Sequence, residues 1–368
     1  MRTPSLSLKQ RLTLELNRSF VKHEAAQHPL TQLFWECTLR CNMRCRHCGS
    51  DCKISTVHPD MPFSDFEKVL LRIKESYDSH KILVILSGGE PLMRDDLVRC
   101  GRQIRKLGFP WGLVSNGRLM SPERINELLK AGMRTATISL DGLEESHDWM
   151  RGHPDSYRRA LHAISLAARE PRLNADVVTC VHRRNLALLP RIHGLLSGMG
   201  VKQWRLFTII PIGRALQHDE LHLDDCQLVT LMDFIAAKRR TRQTAMTVTF
   251  SCEGYLEPYE CQVRPVPHFC HAGVNIASIL ADGTICACPN IDRHRFAQGN
   301  IHTDNLWEVW QTRFEPFRRR DWARQGACKD CRVFKNCLGG GMHNFHTGND
   351  SPLGCHYRQI MNNQNPRP

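Results

Sequence analysis

Cys37, Cys41, Cys45, Cys48 and Cys52 crowd into one short run, CTLRCNMRCRHCGSDC, directly behind a β-type segment, LFWECT at 33–38. Only Cys41, Cys45 and Cys48 have the spacing CxxxCxxC. A [4Fe-4S] cluster ordinarily takes four thiolates, so a loop offering three at this spacing leaves one iron open to another ligand. The remaining pair, Cys37 and Cys52, read as residues that pack or tune the loop. The same run admits a second reading, a zinc site drawing on four of the five thiols. The chain holds 17 cysteines, an odd number. Its N-terminal stretch, MRTPSLSLKQRLTLELNRSF, carries charges where an export signal needs an unbroken apolar region. Metal ligation in a reducing compartment fits that combination better than a secreted disulfide framework, and the cytoplasm is the expected location. No apolar run reaches the ~18 residues needed to span a bilayer.

From residue 32 onward, short β-branched or aromatic runs alternate with amphipathic helical runs, the pattern of an α/β fold. The strands read as 33–38, 81–87, 111–116, 135–141, 174–181 and 202–209. Ser64 with Glu67 reads as a capping box. Ser121, Pro122 and Glu123 read as the start of another helix that Gly132 stops. Six such strands form a parallel sheet, a partial (β/α)6 barrel, with chemistry at the C-terminal ends of the strands. Beyond Gly213 the pattern changes to a helix (224–240), a strand (245–252) and a cysteine-rich tail. There NIASIL and TICAC flank Ala281, Asp282 and Gly283, a hairpin with Asp-Gly at its turn. The expected division is an N-terminal extension (1–30), a core (31–215), a connecting segment (216–265) and an α+β cysteine-rich domain (266–368).

At the end of the second strand stands LSGGEPL. A glycine pair lets backbone approach a ligand closely, and Glu90 beside Gly88 and Gly89 can pair with an ammonium group. With the cysteine triplet and the strand order, this resembles the radical S-adenosylmethionine (SAM) superfamily. The resemblance implies a [4Fe-4S] cluster on Cys41, Cys45 and Cys48 whose open iron chelates SAM. It also implies reductive cleavage of SAM to a 5′-deoxyadenosyl radical that takes hydrogen from a substrate. By the same resemblance Asn116, Ser139 and Asp141 lie near the ribose and carboxylate of SAM, Arg151 suits a carboxylate, and Pro211 with Gly213 lies against adenine.

The tail resembles the SPASM extension of peptide-modifying radical SAM enzymes, through Cys270, Gly283 with Cys288, Cys328 with Cys331, Cys337 and Cys355. The resemblance implies one or two auxiliary [4Fe-4S] clusters. Cys328, Cys331, Cys337 and Cys355 form a full set for the outer one. The inner set has Cys270 and Cys288, but Gly341 stands where the family usually has a cysteine. Cys286, two residues before Cys288 and so on the same face of the strand, is a replacement ligand, and Cys252 and Cys261 are further candidates; His343 and His346 in MHNFH could also replace a ligand but read as surface or packing residues. A zinc ribbon is the competing reading of the last four cysteines. Cys100, Cys180 and Cys226 read as buried small apolar side chains.

The function expected is maturation of a peptide or protein; modification of a tetrapyrrole or other small molecule is the alternative within the family. An aspartate that would follow the hairpin cysteine in sulfatase-maturing relatives is replaced here by Pro289 and Asn290. Residues 1–30 are too short and polar for a winged helix, so leader-peptide recognition would need a separate protein. The net charge of +13 suits an acidic electron donor of flavodoxin or ferredoxin type. A zinc-dependent nucleic-acid-binding protein is the reading from another class; it leaves the Gly88–Glu90 motif without a role.

Overall fold

In this computed structural model, residues 6–50, 52–56, 59–241, 245–251, 253–348 and 350–364 are described. Each expected core strand forms: β1 Gln32–Thr38, β2 Leu83–Gly88, β3 Trp111–Ser115, β4 Met133–Ser139, β5 Asn174–Cys180 and β6 Gln203–Phe207. They pair in sequence order, all parallel, so every βα loop leaves at the same end of the sheet. Helices α2 Phe63–Ser76, α3 Leu97–Lys106, α4 Pro122–Lys130, α5 Glu144–Arg151, α6 Ser156–Arg169 and α7 Leu189–Gly198 make the crossovers, following α1 at Leu8–Gln27. Apolar faces bury the sheet: Trp35 of β1 stacks on Phe66 of α2 at 4.3 Å between ring centroids. Burial of each such side chain contributes about 1.5–3 kcal/mol.

Of the two helix starts read from the sequence, one forms as expected. Ser121 caps α4 by accepting from the Arg124 amide, and Gly132 follows its end at φ 102°. The capping box expected at Ser64 does not form, because the helix begins two residues earlier, at Phe63, with Pro62 at the cap and no side-chain bond there. Proline's fixed φ already suits a helix start, so the hydroxyl falls inside the first turn.

The sheet does not stop at residue 215. Strand β7 (Thr247–Phe250), from the connecting segment, pairs parallel with β6, and helix α8 (Asp225–Thr241) packs on it. On the other edge β8 (Ile276–Ile279) pairs parallel with β1 and turns back into β9 (Thr284–Cys286), with β10 (Gly299–Asn300) outermost. The result is an open ten-stranded sheet in the order β10-β9-β8-β1-β2-β3-β4-β5-β6-β7. Buried Glu36 of β1 fastens the hairpin by accepting from the Ala281 amide at 2.9 Å. The C-terminal cysteine region is thereby registered to the strand that launches the first cysteine loop.

Of the cysteines read as packing residues, Cys100 is buried and Cys180 partly so, but Cys226 is exposed on α8. Helix α1 sets Leu14 against Tyr255, Val333 and Tyr357 and leaves Leu8, Leu12, Leu16 and Phe20 exposed. No described helix is long and apolar enough to cross a membrane.

Candidate active site

Strand β1 ends in a bulge. Glu36 pairs with Ser87 and Thr38 with Gly88, so Cys37 is the extra residue, and the chain bends off the sheet into the cysteine loop. Three structures grip that loop. At the end of β2, the Gly89 amide donates to Thr38 O at 2.7 Å and the Glu90 amide to Arg40 O at 2.8 Å. From the segment after β6, Arg214 donates through its amide to Cys48 O at 3.1 Å and through Nε to Cys45 O at 2.7 Å. Beside α5, the Arg46 amide donates to Met150 O at 2.9 Å.

The glycine pair is required by this grip as well as by any ligand. A Cβ at Gly88, which has φ 110°, would stand 2.3 Å from Thr38 O, and one at Gly89 would stand 2.1 Å from Arg40 O. Gly89→Ala should therefore displace the loop. We expect anaerobically reconstituted G89A to lose most of the iron bound by the loop while its circular dichroism spectrum stays native-like; full iron binding would show that the loop yields.

Cys41, Cys45 and Cys48 stand close enough to feel one another's charge. Each of the three thiols has a side-chain donor: Asn116 Nδ2 lies 4.0 Å from Cys41 Sγ, an Arg151 terminal nitrogen lies 3.7 Å from Cys45 Sγ, and the Cys52 thiol bonds to Cys48. N–H donors onto cluster thiolates tune reduction potential. Burial pushes the Cys41 thiol up to about 12 and raises Cys45, whereas a hydrogen bond from Cys52 pulls Cys48 down to about 6. Metal uptake by such thiols releases protons.

Glu90 is fully buried, and both carboxylate oxygens are engaged. It accepts from Ser115 Oγ at 2.9 Å, the Asn116 amide at 2.8 Å and the Leu92 amide at 3.2 Å. Burial lifts its carboxyl to about 7, against those donors. Glu90 thus joins the ends of β2 and β3 as well as facing the loop. Ser139 is buried at the end of β4. Asp141, just beyond, accepts from the Cys180 amide at 2.8 Å and pairs with Arg151 at 2.6 Å. Burial is the largest influence and opposes its ionisation, but Arg151, His47, His147 and the Cys180 amide together bring the carboxyl below its usual value. The arginine expected to meet a ligand carboxylate therefore already holds one of the chain's own.

The sequence reading missed the surroundings of this pair. His147 and His182 are buried and His47 is partly buried around it, each held down to about 4 by desolvation. His147 accepts from the Asp141 amide, while His47 Nδ1 and both nitrogens of His182 have no partner. Arg214 was missed too; its only signal was its place behind Pro211 and Gly213. Gly213 does carry the expected close approach, at φ 57° with its Cβ position 2.6 Å from Cys48 O.

In the C-terminal region Cys328, Cys331, Cys337 and Cys355 line one cavity of about 280 Å3 and feel one another's charge. Cys270 is buried where the Met342 amide points at its sulfur, 3.5 Å away. Cys286 is buried in β9, where burial pushes its thiol up to about 12 and the charged groups around it are Arg293, Asp282, Glu36 and Asp292. Cys288 is partly buried. Cys261 has Glu260, Arg264, Arg239 and Lys9 as its charged neighbours. Cys252 lies outside the described residues. Among the described residues no three Cys, His, Asp or Glu side chains converge as ligands of a single ion. Four thiols spread around a cavity suit a polynuclear cluster.

A model of the radical SAM superfamily matches residues 35–186, and the SPASM model, an iron-sulfur cluster-binding domain, matches 270–332. The AdoMet-dependent heme synthase of Methanosarcina barkeri is 27% identical over 83% of this chain and 89% of its own length. The mycofactocin maturase MftC of Mycolicibacterium smegmatis is 29% identical over 86% of this chain and 79% of its own. Among solved structures, Streptococcus suis SuiB bound to precursor peptide SuiA superposes with a TM-score of 0.68 at 14% identity, covering 98% of this chain and 83% of SuiB. For anSMEcpe with bound AdoMet and the Cp18Cys peptide the TM-score is 0.68 at 17% identity, covering 90% of this chain and 94% of that one. At these identities the structures share the fold. Both matched domains are those of iron-sulfur enzymes, and zinc-dependent nucleic-acid binding is not favoured.

Proposed function

The chain belongs to the radical SAM superfamily and carries a C-terminal SPASM domain, and we propose that it matures a peptide or protein by hydrogen abstraction at the mouth of the barrel. In this reading Cys41, Cys45 and Cys48 hold the SAM-binding [4Fe-4S] cluster. Gly88, Gly89, Glu90, Asn116, Ser139, Asp141, Arg151 and Pro211 shape the SAM site, and Cys328, Cys331, Cys337 and Cys355 hold the outer auxiliary cluster. When bound, the cluster and SAM supply an electron and a 5′-deoxyadenosyl radical. The chain's own residues do the positioning: Arg214 and the glycine pair fix the loop, Asn116 and Arg151 hold donors against two thiols, and Glu90 aligns the ends of β2 and β3.

A cleft of about 410 Å3 carries the substrate reading. One wall is Gly49 and Ser50 of the cysteine loop with Pro211 to Gly213, and the other is the segment 289–294 behind Cys288, with His346 and Leu353. An extended substrate lying there would touch both domains at once. The maturase relatives and the peptide-bound SuiB fold support this reading. This reading assigns leader recognition to a separate protein and electron delivery to an acidic flavodoxin or ferredoxin. A tetrapyrrole is the second reading, favoured by the heme synthase relatives.

Deuterium transfer separates the two. Reduced, reconstituted enzyme would be given SAM and an extract of deuterium-grown host cells, divided into macromolecules and small molecules. We expect deuterium in 5′-deoxyadenosine only with the macromolecular fraction, and that label should vanish after protease treatment. Label arising only from the porphyrin-containing small-molecule fraction would replace this reading with the second.

A further inference from the structure

The place of the missing inner-cluster cysteine is filled. A Cβ built on Gly341 would lie 2.4 Å from Cε1 and 2.9 Å from Nε2 of His343, so a cysteine there and this imidazole compete for one volume. His343 is only 9% exposed, and its Nε2 has no hydrogen-bond partner. A buried ring nitrogen is costly to leave without a partner, so such a group calls for something to satisfy it. Neutral imidazole nitrogen is also an established iron-sulfur ligand in place of thiolate.

The turn carrying His343 meets Cys270 and is tied to the segment that follows Cys288. Its Met342 amide points at Cys270 Sγ from 3.5 Å, and Arg320 spans Cys270 O and Gly340 O at 3.2 and 2.8 Å. The loop behind Cys288 is tied to the same turn, where Asp292 accepts from the Thr347 amide at 2.7 Å and Arg295 donates to His346 O at 2.9 Å. Cys286 has Arg293, Asp282, Glu36 and Asp292 as its charged neighbours, from β1, the hairpin turn and the segment behind Cys288.

We propose that Nε2 of His343 takes the ligand position left by Gly341, joining Cys270 and Cys288 at the inner auxiliary cluster. This rests on the reading that both auxiliary clusters form. The ring, with Glu253 O 2.9 Å from the same point, accounts for the glycine as well, since a side chain at 341 would have to displace one of them. His268, also buried with an unpartnered Nε2, is the neighbouring rival.

The test uses the full chain with Cys41, Cys45 and Cys48 replaced by Ala, which leaves only the auxiliary sites. Anaerobic reconstitution should give about eight irons per chain, and pulsed EPR of the reduced protein should show a directly coordinated 14N coupling. His343→Ala should remove that coupling and about four irons, whereas His268→Ala should keep both. About eight irons without nitrogen coupling in the parent would overturn the ligand assignment and leave the two-cluster reading standing. Coupling lost with His268→Ala instead would also overturn it. About four irons in the parent would overturn both.

Discussion

Cys45→Ala should reduce cleavage of SAM to 5′-deoxyadenosine by about three orders of magnitude or more, because two thiolates cannot hold a cubane with one open iron in a fixed place. Of the three thiols in the loop, Cys45 is the most enclosed, 8% exposed, and it alone receives the Arg151 donor. Its replacement removes both a ligand and the acceptor that orients that guanidinium. Cys37→Ala is the matched control. Cys37 is fully buried beside the same loop, and its thiol reaches only Ser87 O at 3.5 Å. Its loss should cost about 1 kcal/mol of packing and leave cleavage intact. The measurement is 5′-deoxyadenosine released from SAM by dithionite-reduced protein, with iron content determined on the same samples. Wild-type cleavage by Cys45→Ala would remove Cys45 from the ligand set; equal loss in Cys37→Ala would mean that general collapse of the loop is being read.

The strands and the cysteine spacing were legible because each depends on local pattern. Alternating β-branched and helical runs placed all six core strands, and Asp-Gly at 282–283 placed the hairpin turn, where Gly283 has φ 83°. What was not legible depended on long-range contacts. That β8 adds to β1 could not be read from NIASIL, since an edge pairing 244 residues apart leaves no local trace. The burial of Glu90 by Ser115 and Asn116, and the placing of His47 and His182 around Asp141, likewise come from loops that converge only once the barrel forms. Gly341 was visible as a departure from pattern. That His343 fills its space became visible only when the turn closed.

Arg151→Met should destabilise the protein by about 3–5 kcal/mol, since it leaves the Asp141 carboxylate buried without its counter-charge. The pair is 2.6 Å apart with both partners buried. Adding Asp141→Asn should recover much of the loss: the amide oxygen still accepts from the Cys180 amide, and no unpaired charge remains. The pH dependence gives a second signature. In the native protein the Asp141 carboxyl is held below its ordinary value of 3.8, so the stability it contributes is present above about pH 4 and lost as pH falls further. Without Arg151, burial dominates and the carboxyl rises above that value. The folded variant then keeps a proton that the unfolded chain has released, and stability falls as pH climbs from about 4 toward neutrality. His47, His147 and His182 destabilise the native protein as pH drops below their ordinary 6.5. Arg151 helps to hold His47 and His147 down, so its loss eases that penalty in the variant and widens the gap with pH in the same direction, which is why the Asp141→Asn comparison is needed to isolate the carboxylate. Anaerobic urea midpoints between pH 5 and 7 should therefore show a gap between native and Arg151→Met that widens with pH, and that narrows when Asp141→Asn is added. A gap independent of pH, or a double variant as unstable as the sum of the two singles, would show that the arginine acts through packing and not through its charge on Asp141.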